Sequence, residues 1–273
     1  MARPRDPKAL ACEFDRAYAC GCAPAVRELE RHVLGCDYGG TSATTRSEAD
    51  RIASRLALRP GVHLLEVGAG SGWPGLYLAK STGCEVTLAD VPLAGLRVAM
   101  ERACADGLAG RSGAVAADGA KLPFRDRAFD AVSHSDVLCC MPAKLEMLRE
   151  CRRVARNGAR MEFSVISITP NLSDDERRIA IEGGPSFVEG PDDYGALLAE
   201  SGWRLAERID VTVALGQAVR RLVEGTIERT DALTEVLGAE EFAERMERRR
   251  AALKATERGV LTRELFLALA EAS

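Results

Sequence analysis

The stretch LLEVGAGSGWPGLYLAK, residues 64–80, constrains the fold of this chain more than any other. Two apolar runs flank an acid, four glycines and a proline. Glycine costs about 0.5–1 kcal/mol inside a helix or strand, and proline interrupts both, so neither element runs through the middle. Positions without a Cβ suit a backbone that turns tightly and closes on a bound object. HLLEV (63–67) reads as a short buried strand, and PGLYLAKS begins a helix with Pro74 tolerated in its first turn. Strand, glycine-rich turn and helix make a nucleotide-binding unit, whose helix offers free N–H groups at its start.

The same alternation recurs downstream. Residues 44–58 read as a helix, with Thr45 and Glu48 at capping-box spacing. Strands are expected at 84–90, 113–118, 130–135 and 159–167, and helices at 93–107 and 143–156. One more helix (191–203) and strand (204–211) follow, then a long charged helical stretch, then TRELFLALA (262–270) as a last strand. Short links between strands and helices predict a doubly wound, mostly parallel α/β sheet with helices on both faces. An N-terminal helical segment precedes it and a helical insertion stands before the last strand. The expected division is 1–45 as a helical lid, 46–212 as the α/β core, 213–260 as a helical cap and 261–273 as the last strand.

The glycines fit two registers. Gly70-Ser-Gly72-Trp-Pro-Gly75 matches the dinucleotide pattern G-x-G-x-x-G, which would make the chain an NAD-dependent oxidoreductase. Counted from Glu66, the run is E-x-G-x-G-x-G, and a carboxylate there suits a ligand bearing an ammonium group. Later residues favour the second register. Asp90 ends the second strand, 18 residues after Gly72, where an acid accepts from ribose hydroxyls; a turn-capping aspartate is the plainer alternative. Asp118 ends the third strand, where a carboxylate can accept an adenine amino group while Gly119 admits the ring; an Asx-turn is the alternative. The Tyr-x-x-x-Lys pair that an oxidoreductase would need after the fourth strand is missing.

LLEVGAGSG, LAD, AADGAKLPFRDRAFDAV and RRVARNGARM, in that order, resemble the class I S-adenosylmethionine-dependent methyltransferases, particularly the small-molecule branch. The likeness covers about residues 60–170 and implies a Rossmann-like sheet binding S-adenosyl-L-methionine. By this resemblance Glu66, Gly68, Ala69, Gly70 and Gly72 hold the methionine part, Asp90 and Val91 the ribose side, and Asp118 and Gly119 the adenine. Ser133 and His134 are expected near the sulfonium and the substrate. Two departures stand out. Cys139-Cys140 occupies a place where many relatives carry His-His or Glu-His, and Arg156-Asn157-Gly158-Ala159 replaces a Pro-Gly-Gly turn.

Methyl transfer from a sulfonium needs mainly alignment, and a base only where the acceptor carries a proton that must leave. His134 is the expected catalytic base and Asp136 the second candidate. Tyr18, Tyr38 and Phe187, outside the sheet, are expected to touch the substrate. The run 242–259 is charge-rich and reads as a helix with a solvated outer face; a dimer contact or a mobile lid is the alternative. Nine cysteines show no paired C-x-x-C spacing, so no metal is expected. A net charge of −4 and no base-flipping motif argue against nucleic acid. No run approaches the ~18 apolar residues of a membrane span, and MARPRDPKAL lacks a secretory apolar core. The expectation is a cytoplasmic monomer or homodimer acting on a small-molecule acceptor with oxygen, nitrogen or carbon as nucleophile. A non-catalytic protein that keeps the cofactor pocket is the remaining alternative.

Overall fold

The computed structural model describes residues 6–191 and 193–271. Residues 1–5 of the expected lid, residue 192 of the expected core, and residues 272–273 of the expected last strand lie outside the described residues. The strands are β1 (His63–Val67), β2 (Glu85–Asp90), β3 (Ser112–Ala116), β4 (Phe129–Ser135), β5 (Ala155–Ile168), β6 (Arg204–Asp210) and β7 (Leu261–Leu269). The helices are α1 (Pro7–Gly21), α2 (Pro24–Leu34), α3 (Arg46–Arg55), α4 (Gly75–Thr82), α5 (Leu93–Ala105), α6 (Lys144–Val154), α7 (Asp174–Gly183), α8 (Tyr194–Glu200), α9 (Thr212–Glu228), α10 (Thr230–Leu237) and α11 (Ala239–Glu257).

One seven-stranded sheet runs β3-β2-β1-β4-β5-β7-β6. The first five strands pair in parallel; β7 lies antiparallel between β5 and β6. The order reverses direction between β1 and β4, and open α/β sheets bind ligands at such a switch point, beyond the carboxyl ends of the strands. The glycine turn follows β1 there, and Asp136 follows β4. Both faces are buried, which explains the near-continuous apolar runs of the central strands. Leu64, Val86, Leu88 and Ala131 face one core with Leu76, Leu78 and Ile52. Their neighbours Leu65, Ala89 and Val132 face another, with Phe163, Phe266 and Leu148.

Several local expectations shift. β3 stops at Ala116, so Asp118 stands two residues into the following turn. β5 begins at Ala155, earlier than the expected 159, and Gly158 within it carries a left-handed backbone, at φ +80°. The glycine- and proline-containing stretch 181–191 starts inside α7. α3 carries the capping box: Glu48 N donates to Thr45 Oγ1, and Thr45 N donates to Glu48 Oε2 at 2.7 Å.

The second oxygen of Glu48 accepts from Arg263 Nη1 at 2.7 Å. Arg263, on β7, is 1% exposed. Its guanidinium also clasps both oxygens of Asp136 through Nε and donates to Thr44 Oγ1 and Ser164 Oγ. Five donors in a planar fork allow one arginine to serve four partners. α2 packs on α9 and α10, and α11 on α7 and α9, which sets the N-terminal and C-terminal helices together.

Candidate active site

A cavity of about 1110 Å³ opens at the carboxyl edge, walled on one side by the strand ends and on the other by α1, α2, α9 and α11. At the sheet edge the wall is largely backbone. Gly68 and Gly70 sit at φ +70° and +51°. A Cβ on Gly68 would stand 2.3 Å from a Val137 methyl, and one on Gly70 would stand 2.4 Å from the Tyr18 hydroxyl. Both the turn and the space therefore require glycine.

Asp90 ties the turn to β2, accepting from Gly70 N and Val91 N at 2.7 Å each. Burial raises its carboxyl to about 6. A carboxylate has about four acceptor sites, so two remain for hydroxyls in the cavity. Glu66 is 2% exposed and accepts from Gly75 N at 2.9 Å. Burial pushes its carboxyl up to about 8. An ammonium group beside it would favour the anion again. Ser71, in the glycine turn, has a buried hydroxyl with no partner among the described residues, and it lines the cavity. A buried polar group without a partner costs about 1–3 kcal/mol, which a ligand carboxylate would offset. Asp118 accepts from Ala120 N through Oδ1, so the Asx-turn exists. Its Oδ2 has no hydrogen-bond partner among the described residues, and the residue lines the cavity beside Gly119. Val91 leaves an apolar side chain 51% exposed at the same rim, suited to the face of a base. These residues fit S-adenosylmethionine: acids for ammonium and hydroxyls, an unpaired donor for carboxylate, and backbone where bulk is forbidden.

The structure does not bring all predicted residues together. Ser133 and His134 do not line the cavity. His134 is 0% exposed, stacks on Phe163 at 4.6 Å, and has no hydrogen-bond partner on either ring nitrogen among the described residues. Burial lowers it to about 3, so it stays neutral. Asp136 does line the cavity, with its carboxylate held by Arg263 at 3.0 and 3.1 Å. Tyr18 lines it too, against the glycine turn, with its hydroxyl 3.2 Å from Thr41 Oγ1. Tyr38 instead packs on Trp73 under the Arg102 guanidinium. Phe187 is half-buried outside the wall, and its carbonyl accepts from Lys144 Nζ.

The helical side of the cavity adds residues that the motifs do not mark. Glu30 on α2 accepts from Gly39 N at 2.6 Å and Gly40 N at 3.1 Å, which folds the 39–43 loop over the cavity. Burial raises its carboxyl above the usual range. The YGG at 38–40 was the only signal for that loop. Leu29 and Val33 of α2 and Leu215 and Leu222 of α9, two helices that pack on each other, give this side apolar lining. Arg245, Arg248 and Arg249 of α11 line the cavity as well, against the expectation that the charges of this run form a solvated outer face.

A methyltransferase-domain family model matches residues 65–163. Methyltransferase GfsG of Streptomyces halstedii is 31% identical over 200 residues, 71% of this chain and 70% of that protein. The 27-O-demethylrifamycin SV methyltransferase of Amycolatopsis mediterranei is 32% identical over 62% of this chain and 64% of its own. Among solved structures, the [4+2]-cyclase SpnF superposes over 100% of this chain and 99% of its own, at a TM-score of 0.75 and 18% identity, a likeness of architecture. The sequence match and the cradle at the switch point converge: the chain belongs to the class I S-adenosylmethionine-dependent methyltransferases of the small-molecule branch, and it transfers a methyl group from that cofactor to a small-molecule acceptor.

Proposed function

We propose that the acceptor is a bulky, mainly apolar natural product methylated on a hydroxyl oxygen. The observation that carries this reading is the size and lining of the chamber. Ligand pockets run roughly 300–1,000 Å³. A single cavity of about 1110 Å³ therefore has room for the cofactor and for an acceptor of comparable bulk against the apolar side chains of the helical wall, Leu29, Val33, Leu215 and Leu222. The rifamycin relative, named for an O-methylation, supports oxygen as the nucleophile.

When bound, S-adenosylmethionine supplies an activated methyl group. In this reading Glu66 and Ser71 hold its amino-acid end, with Gly68, Ala69, Gly70 and Gly72 as the cradle. Asp90 takes the ribose, and Asp118, Gly119 and Val91 take the adenine. Tyr18 covers the methionine rather than the acceptor. Asp136 uses a lone pair left free by Arg263 to orient the acceptor hydroxyl and take its proton. Asp136 therefore replaces His134 as the base, because an enclosed imidazole cannot reach a reactant. Ser133 acts through the sheet, and Tyr38 and Phe187 support the wall from behind. α1, α2 and α9 to α11 form the lid, with the Arg248–Glu13 pair joining α11 to α1 across the chamber.

The nine cysteines form no disulfide among the described residues. No described helix is long and apolar enough to cross a membrane. The test is turnover with S-adenosylmethionine across macrolactones, ansamycins, sterols and small amino acids, read by mass spectrometry. Methylation of a bulky hydroxylated compound is the expected result. Turnover confined to the amino acids would overturn the reading.

A further inference from the structure

The two sides of the cavity differ in charge: the sheet edge carries acids alone, while the helical side mixes Glu13, Glu30 and Glu241 with its cations. Its acids at the sheet edge, Glu66, Asp90, Asp118 and Asp136, suit a cationic cofactor. Three of its four cations sit opposite, on one face of α11, at positions 245, 248 and 249, the i, i+3, i+4 spacing that stacks side chains together; the fourth is Lys8 of α1. Arg245 Nε donates to Glu241 at 2.6 Å, and Arg248 pairs with Glu13 of α1. Arg249 has no carboxylate within ion-pair distance among the described residues; its recorded partner is the neutral Thr226 Oγ1, at 2.7 Å. Thr226 is itself fixed, fully buried and donating to Leu222 O. Three guanidiniums thus face two carboxylates, and the unmatched one is half-buried in the wall of the acceptor chamber. Burial and the two neighbouring arginines lower it only to about 10, so it keeps its charge at neutral pH. Ala252 and Thr256, on the following turns of the same face, are small and leave space in front of it.

An unpaired, desolvated cation beside like charges costs folding free energy that an arginine facing solvent would not. A planar guanidinium in the wall of a ligand chamber, with one N–H engaged by Thr226, can offer its others to a carboxylate or phosphate. We propose that Arg249 forms an anion subsite, so that the acceptor carries a carboxylate or phosphate ester at the end remote from the methylated atom. This rests on the reading of the helical half of the cavity as the acceptor chamber.

Calorimetry on the full chain tests it. S-adenosylhomocysteine is titrated first; wild-type protein that failed to bind it would remove the methyltransferase reading, and the subsite with it. Decanoate, decyl phosphate and 1-decanol are then titrated into the loaded protein. The subsite predicts that one or both anions bind at least tenfold tighter than the alcohol, and the better of the two names the group. Arg249→Gln should erase that preference and Arg249→Lys should keep part of it, with S-adenosylhomocysteine affinity unchanged within twofold in both. Equal binding of alcohol and anions to the wild type, or an anion preference intact in Arg249→Gln, would overturn the proposal. So would a tenfold loss of S-adenosylhomocysteine affinity in Arg249→Gln, because the guanidinium would then serve the cofactor.

Discussion

The two ends of the cavity are made of different material. At the sheet edge, peptide groups of the turn after β1 and nearby carboxylates form the wall, and Glu66, Asp90 and Asp118 are each anchored by a backbone N–H from the same neighbourhood. At the far end, side chains from α1, α2, α9 and α11 form the wall, drawn from segments some 200 residues apart. A backbone wall is insensitive to most substitutions and recognises one molecule. A side-chain wall changes with every substitution. A family that keeps one cofactor and diversifies its acceptors needs this division of labour.

If the division is real, changes at the two ends affect different quantities. The largest effect is expected at the seam. Asp136→Asn keeps the shape of the carboxylate but removes its capacity to take a proton, and should lower turnover about 10²–10⁴-fold. Cofactor affinity by calorimetry should stay within twofold; a matching loss of affinity would move Asp136 into the cradle. Next comes the cradle itself. Asp90→Ala removes the proposed bonds to ribose and the anchor of Gly70, each charge-assisted bond contributing about 1.5–3 kcal/mol. A net loss equal to one such bond should lower cofactor affinity roughly 10- to 140-fold, at about 1.4 kcal/mol per tenfold. Affinity unchanged by the substitution would detach Asp90 from the ligand.

Glu66 predicts a smaller, graded effect. Its carboxyl is raised from about 4.5 to about 8 by burial, so the folded protein holds a proton there that the unfolded chain has released. Stability without cofactor should therefore fall as pH rises from about 4.5 through 8, at up to about 1.4 kcal/mol per pH unit. Cofactor affinity should move the opposite way, rising up to tenfold per unit toward pH 8 as the carboxylate forms. Urea midpoints and calorimetry at pH 6 and 8 read both slopes, and Glu66→Gln should flatten both. The smallest effect is expected at His134. His134→Phe removes two buried nitrogens without partners and keeps the ring stack. Turnover should stay within twofold and stability within about 1 kcal/mol. A hundredfold loss of turnover would return the histidine to the reaction.

The glycine turn and the acids beside it were legible in the sequence because they are local. Glycines at alternate positions and acids closing strands are written in a few contiguous residues, and they carry the switch-point geometry with them. His134 misled because proximity to a strand end was weighed without parity. Val132 and His134 lie two apart on β4 and share a face, and Val132 already belonged to a buried run. That alternation pointed the imidazole at Phe163, while Asp136, just past the strand, reached the edge. Nothing local could assemble the chamber. Arg249 reads as one charge among many in 242–259, and only its packing against Thr226 of α9 turns it inward. Arg263 reads as a polar residue of an amphipathic strand, although its partners lie 99 to 219 residues away.

The position of β7 has a consequence for how the protein comes into being. β6 joins the sheet through β7, and the clasp on Asp136, Glu48 and Thr44 is carried by a β7 residue. A nascent chain that has emerged from the ribosome as far as residue 260 would already own its glycine turn, yet β6 would hang without a neighbour and Asp136 without its guanidinium. Translation thus delivers the means to grip a cofactor well before the means to use it.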